Sequence, residues 1–232
     1  MNNDYNYIDP DYIYTDPKTG VLRNLLDIDD HNTLIFAETA ATTKRINELS
    51  NAPIKISDSG TLFAIHKHLF QDVYDWAGKR RTVEISKGGK QFFPLSHFEN
   101  ALKFIDNLLL EYRQIDKKDK MNISKKLAVI LDSVNFLHPF RDGNGRTQRE
   151  FLRLLAGEKG WVLDMTPPDN TDVYERYMNG TINGDVEALE KLIIECLSDR
   201  SSDYTEWQHD LWVGQSIDEI HEEATAFEKT QE

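Results

Sequence analysis

A single cysteine, Cys196, stands in the 232 residues, which excludes an internal disulfide and a thiolate metal cage. It lies in the apolar stretch LEKLIIECL, where a buried core thiol is expected and redox chemistry is not. Long apolar runs are missing, so no membrane span is expected. The start, MNNDYNYIDP, lacks both a basic region and an apolar one; it predicts no secretory leader and a cytoplasmic protein. Bases are short as well, 27 Lys and Arg against 40 Asp and Glu, for a net charge of −13. The deficit is at the ends: residues 1–50 and 198–232 carry −5 and −8, and residues 51–197 are neutral. Without a basic stripe, direct grip on nucleic-acid phosphates is not expected, and the acidic ends read as solvated surface. No repeat of fixed period and no low-complexity tract occurs.

What is present is 39% apolar, 10% aromatic and 29% charged residues, the profile of a globular chain of one domain plus trimmings. Three parts are expected: an extended arm over 1–28, rich in Asp, Tyr and Pro; a helical domain over 29–198; and an acidic helical appendage over 199–232. Helical periodicity runs from Asp29 or Asp30 to Leu49, with Leu34, Ala37, Ala41 and Leu49 inward, and from Asp58 or Ser59 to Trp76. The period then changes. In Arg81–Phe93, Val83 and Ile85 alternate with polar neighbours and Gly88-Gly89 suits a tight turn, which predicts a two-stranded hairpin with one edge open. Further helices are expected from a Ser96 cap to Tyr112, from Lys120 to Leu137, from about Arg146 to Gly157 or Gly160, and over 169–179 and 185–197.

The most informative stretch lies between two of these helices: His138-Pro-Phe-Arg-Asp-Gly-Asn-Gly-Arg-Thr-Gln-Arg149. Backbone amides at Gly143, Asn144 and Gly145, just ahead of a helix, point at an anion where the helix dipole is positive. Asp142 is a hard-cation ligand, and Arg146 and Arg149 are fork-shaped phosphate donors. A calcium-binding EF-hand starting at Asp142 fails at Arg146, Thr147 and Arg153, and a Walker loop fails because Gly88-Gly89-Lys90 is followed by Gln91. A nucleoside triphosphate satisfies all of these groups together.

This stretch resembles the Fic motif, HxFx[D/E]GNGRxxR, at every specified position. The likeness extends to His66-x-x-Leu69-Phe70-x-Asp72-Val-Tyr-Asp-Trp76-Ala-Gly78, to RTVEISKGGKQFF and to YTDPKTGVLRN, covering about Tyr12 to Leu197. It implies an all-α Fic fold, a helical bundle with a small β-hairpin flap over the active site, and transfer of AMP from ATP to a Tyr, Ser or Thr hydroxyl of a target protein. Carried over, His138 is the general base and Asp142 holds Mg²⁺. Gly143, Asn144 and Gly145 cradle the phosphates, with the Asn144 side chain taking part; Arg146 assists, Arg149 reaches the γ-phosphate, and Phe140 anchors the loop. The flap edge Thr82, Val83, Glu84, Ile85, Ser86 and Lys87 is the expected docking strand for the target. Tyr177 and Met178 are candidates for the adenine pocket, with ordinary core packing as the alternative. His66 and His68 are expected to cap or pack.

Many Fic proteins are restrained by a helix bearing [S/T]xxxE[G/N]. Here the one Glu followed by Gly or Asn is Glu99, with Leu95 four residues earlier, and Ser202-xxx-Glu206 is followed by Trp207. The resemblance therefore implies the class restrained by a separate small antitoxin, in which the chain is the toxin of a pair; type II topoisomerase subunits are a trial target. Donors other than ATP are open: the phosphate-transferring branch carries lysine at the place of Gly145, but UMP transfer is not excluded. A binding scaffold without activity is the alternative from another class.

Overall fold

A computed structural model describes residues 5–7, 12–87, 90–165 and 171–199. Two compact units divide the chain, 1–197 and 198–232; the expected helical appendage and the Gly88-Gly89 turn lie outside the described residues. The first unit is built on seven helices, α1 (His31–Asn51), α2 (Thr61–Phe70), α3 (Phe98–Gln114), α4 (Lys120–Leu137), α5 (Asn144–Glu158), α6 (Thr171–Asn183) and α7 (Val186–Cys196). Short strands accompany them: β1 (Tyr5–Tyr7), β2 (Ile85–Lys87), β3 (Lys90–Gln91), β4 (Trp161–Leu163) and β5 (Leu197–Asp199), which straddles the unit boundary.

Helix ends follow side-chain chemistry. Asp30, Asp119 and Asp185 cap α1, α4 and α7 by accepting from the amides of Thr33, Asn122 and Ala188. Ser96 does not cap α3; a 3₁₀ turn over Leu95–His97 leads into it instead, and α3 starts without a side-chain cap. The second helix ends at Phe70 rather than Trp76, and residues 71–78 turn, closing at Gly78 with φ 75°. A Cβ at Gly78 would stand 2.9 Å from the Phe63 carbonyl and 2.6 Å from Lys67 Cβ, so only glycine fits that approach.

The core runs through α4, whose Ile123, Leu127, Ile130, Leu131 and Val134 are buried, and α5, with Phe151, Leu152 and Leu155. The inward stripe of α1 is Leu34, Glu38, Thr42 and Leu49. The expected Ala41 packs against the core beside it, whereas Ala37 gives way to Glu38, which has buried partners, and the Thr42 hydroxyl donates to the Glu38 carbonyl at 2.9 Å. Residues 12–28 of the expected extended arm lie against the domain: Tyr14 and Val21 are core residues, Tyr14 meets Trp76 edge-on, and its hydroxyl accepts from the Thr82 amide at 3.0 Å.

The flap has three strands, not two, in the order β1-β2-β3 and all antiparallel, with Tyr5 opposite Lys87 and Tyr7 opposite Ile85. A bare two-residue ladder is weakly stable, and a third strand supplies hydrogen bonds to the exposed β2 edge. The edge expected to be open at Ile85–Lys87 is thus taken by the chain's own β1.

Candidate active site

The chain turns from α4 into α5 through residues 138–143, and both turning points have left-handed backbone: His138 at φ 45°, ψ 62°, and Gly143 at φ 76°. Pro139 keeps His138 out of the right-handed helical region and so ends α4 there. Gly143 is required twice over. Its dihedral strains any L-side chain, and a Cβ there would lie inside the van der Waals envelope of the Phe70 ring. Gly143→Ala is expected to displace the loop and lower nucleotide affinity by at least about tenfold, read by titration calorimetry, for a cost of 1–3 kcal/mol in backbone strain alone.

The loop is pinned from within. The Asn144 side chain turns back to Phe140, its Oδ1 accepting from the Phe140 amide at 3.0 Å and its Nδ2 donating to the Phe140 carbonyl at 2.9 Å. The structure thus gives that side chain a part in bracing the loop. Phe140 is buried, as expected, and stacks on His66 with centroids 3.8 Å apart. His66 Nδ1 accepts from the Gly78 amide at 2.8 Å, which assigns the proton to Nε2, 3.0 Å from the Asp142 carbonyl. One buried imidazole thus ties the end of the α2 turn to the middle of the loop, which is the packing role expected for it made specific.

Burial pulls the His66 pKa down to about 3, because a desolvated imidazolium is costly. The folded protein stays neutral there while the unfolded chain protonates below about 6.5. Stability is therefore whole above that value and falls as pH drops towards about 3. Urea unfolding between about pH 7 and about pH 4 is expected to show this loss, and His66→Gln to flatten the slope; an equal slope in both would contradict the assignment.

His138 and the phosphate cradle open on one cavity of about 1300 Å³, which Asp142, Gly143, Asn144, Gly145, Arg146 and Arg149 also line. His138 is buried at 5% exposure, its ring stacked on Phe92 at 3.7 Å, and its Nδ1 lies 3.3 Å from the Asn135 carbonyl. That contact sets Nδ1 against a backbone carbonyl, the arrangement in which a histidine's proton sits on Nδ1. The Asp142 carboxylate accepts from the Gly143 amide at 2.5 Å through one oxygen.

The two arginines differ. Arg146 is ion-paired with Glu38 of α1, whose other oxygen accepts from the Tyr74 hydroxyl, and its guanidinium covers the Phe70 ring at 4.7 Å. Arg149 has no carboxylate partner among the described residues; it lies over Tyr177 at 5.2 Å and Tyr174 at 5.9 Å. Tyr177 is buried, with its hydroxyl accepting from Gln148, so it supports Arg149 from below; Met178 lies half-buried on the cavity wall.

Two residues of consequence were absent from the sequence reading. Glu38 is one. The other is Arg81, 1% exposed, which donates from Nε to the His138 carbonyl at 2.8 Å, from Nη1 to the Val83 carbonyl at 2.7 Å and from Nη2 to the Phe93 carbonyl at 2.5 Å. It joins the flap to the turn at His138. Of the expected docking strand, Val83 and Ile85 face inward and are buried, and Ile85–Lys87 pairs with β1; Glu84 Oε1 accepts from the Leu95 amide at 3.1 Å.

The Fic/DOC family model matches residues 56–156, a span that holds the α2 turn, the flap and the whole loop. VbhT, a protein adenylyltransferase of Bartonella schoenbuchensis, is 40% identical over 65% of this chain, a match spanning 32% of VbhT's own length. The probable protein adenylyltransferase y4lH of Sinorhizobium fredii is 35% identical over 69% of this chain and 82% of its own. Among solved structures, the Fic domain of a Bartonella sp. AR 15-3 effector superposes with a TM-score of 0.73 at 24% identity, over 81% of this chain and 92% of that one. BepC of Bartonella tribocorum, solved with AMPPNP bound, gives 0.70 at 19% identity, over 81% and 97%. With its loop matched at every fixed position and its helices in that arrangement, the chain belongs to the Fic/DOC family.

Proposed function

We propose that the chain is a protein adenylyltransferase that moves AMP from ATP to a Tyr, Ser or Thr hydroxyl of a target protein. The observation that carries the reading is the convergence of the His138 ring, the Asp142 carboxylate, the start of α5 and the Arg149 guanidinium on one cavity. His138 Nε2 takes the target hydroxyl's proton as that oxygen attacks the α-phosphorus; the bond to the β-phosphate oxygen breaks and pyrophosphate leaves. The amides of Gly143–Gly145 and the α5 dipole stabilise the phosphate charge, and Arg149 binds the far phosphates. Arg146, held by Glu38, shapes the cradle wall.

Among the described residues no group of three or more His, Cys, Asp or Glu could hold a metal by itself. A lone carboxylate beside a phosphate cradle suits Mg²⁺ arriving with the nucleotide, with Asp142 as its protein ligand and charge neutralisation on the leaving group as its contribution.

The target docks as an added strand. Pairing on Ile85–Lys87 would displace β1, whereas β3 is the sheet's other edge and runs into Gln91 and Phe92, which line the cavity; docking along β3 therefore leaves the flap intact. Restraint by a separate antitoxin carrying an [S/T]xxxE[G/N] helix fits an Arg149 without a carboxylate partner among the described residues, and makes the chain the toxin of a cytoplasmic pair. No described helix is long and apolar enough to cross a membrane.

The test is incubation with Mg²⁺ and ATP labelled at the α-phosphate in a bacterial lysate, beside a γ-labelled sample and a His138→Ala chain, with type II topoisomerase subunits as the first purified target. Label from the α-position alone, lost in the variant, is the expected result. Transfer from the γ-position would replace the reading with kinase chemistry; silence from both would overturn ATP as donor.

A further inference from the structure

Arg149 stands where a cation is disfavoured. A Cβ on Gly145, one turn earlier in α5, would lie 3.3 Å from Arg149 Nη1, so the guanidinium folds back over the first turn of the helix. That turn carries the positive pole of the helix dipole, which repels a cation. No hydrogen bond or ion pair reaches the guanidinium from the described residues. Arg146, in the same turn, is neutralised by Glu38. Arg149 is not, and a half-buried charge kept there without a counter-ion needs another support.

That support is aromatic. The guanidinium carbon lies 5.2 Å from the Tyr177 ring and 5.9 Å from the Tyr174 ring, both within the range of a cation–π contact. The two tyrosines are three residues apart on one face of α6, with ring centroids 6.2 Å apart. Tyr177 is buried and held through its hydroxyl by Gln148, and α6 is tied to α4 by the Asn135 side chain, which donates to the Thr181 carbonyl at 2.9 Å. Tyr174 is 47% exposed and forms the outer part of the shelf. A ring face attracts a cation through its quadrupole without cancelling the charge or engaging the N–H donors. A carboxylate partner would do both.

We infer that Tyr174 and Tyr177 are positioning residues: their ring faces hold the Arg149 guanidinium over the start of α5 with its charge and its donors kept for the terminal phosphate of the nucleotide. The inference rests on the nucleotide reading of this cavity proposed above and deepens it. It makes the preference for a triphosphate over a diphosphate depend on two rings that act through Arg149. The face of each ring does this work, so phenylalanine serves in either place and an aliphatic side chain of similar bulk does not.

The experiment is calorimetric titration of the full chain, with Mg²⁺, against ATP, ADP and inorganic tripolyphosphate. The wild-type chain is expected to favour ATP over ADP by about ten- to hundredfold, the worth of a charge-assisted hydrogen bond to the added phosphate. Arg149→Ala is expected to bring that ratio to within about threefold. Tyr174→Leu and Tyr177→Leu are each expected to weaken ATP and tripolyphosphate about three- to tenfold and to leave ADP within about twofold. Tyr174→Phe and Tyr177→Phe are expected to keep the wild-type ratio, and Tyr174→Leu to add no further loss in an Arg149→Ala chain. Tyr174 is the exposed position of the two, so its variants keep the test open if the buried Tyr177→Leu chain fails to fold. A ratio unchanged by Tyr174→Leu and Tyr177→Leu overturns the inference. So does an equal loss of ATP and ADP in a Tyr174→Leu chain that melts as the wild type does, which would place that ring on the base or ribose, and so does a loss in the phenylalanine variants, which would assign the effect to the hydroxyls. The two readings fail separately: α-label transfer with no dependence on the rings sinks this inference alone, and a ring-dependent preference for ATP without transfer sinks the enzyme reading alone. Ring-dependent binding of tripolyphosphate by a chain that takes neither nucleotide would keep the shelf and remove the nucleotide.

Discussion

A His138→Ala chain is expected to lose about 10²–10⁴-fold of its α-label transfer, the usual worth of a positioned general base. ATP affinity is expected to hold within about threefold, because the groups assigned to the phosphates are the α5 terminus and Arg149, with Asp142 assigned to the accompanying Mg²⁺. The imidazole is oriented by two independent contacts, the Asn135 carbonyl at Nδ1 and the Phe92 ring on its face, so the base needs no reorganisation at the moment of reaction. Removing the ring also leaves Phe92 without its stacking partner, and a modest fall in melting temperature is expected beside the loss of rate. Transfer that survived in the variant would move the base elsewhere and remove the mechanism proposed above.

Arg81→Met is expected to cost about 3–5 kcal/mol of stability, at about 1–3 kcal/mol for each backbone carbonyl left without its donor. For a domain of this size that is a drop of roughly 6–20 °C in melting temperature. The guanidinium satisfies three backbone carbonyls at once, on His138, Val83 and Phe93, and lies over the Phe98 ring at 5.1 Å. Methionine fills the volume but leaves those oxygens buried without donors. Arg81→Lys keeps the charge and loses the fork, so it is expected to recover little. Transfer should fall with stability here, because the same side chain holds the flap and the turn of the catalytic histidine. A scanning calorimetry trace within about 2 °C of wild type would show that the network is dispensable.

What could be read from the chain in advance was whatever is written locally. The His138–Arg149 loop packs its fixed residues into twelve positions, and its glycines have local reasons to be glycine. Helices with a clear apolar stripe, such as α4, were legible for the same reason. Glu38 was not, because a glutamate on a helix reads as solvent-facing until its partners, 36 and 108 residues away, are known. Arg81 was hidden likewise: its acceptors are main-chain oxygens, which carry no residue signature. The third flap strand escaped because three residues of Tyr-Asn-Tyr show no period. The brace from the Asn144 side chain to Phe140 was not legible either, because its partners are main-chain atoms.

The half-buried Cys196 has a practical consequence. Burial pushes its thiol up to about 11, so close to neutrality it is almost wholly in the unreactive protonated form. A cysteine introduced at an exposed flap or cavity-rim position, with an ordinary thiol pKa near 8.5, would react with a maleimide probe far faster than the native one. The wild-type chain is in that respect already a labelling background, and a reporter dye can be set on the flap without first deleting a residue packed against the core.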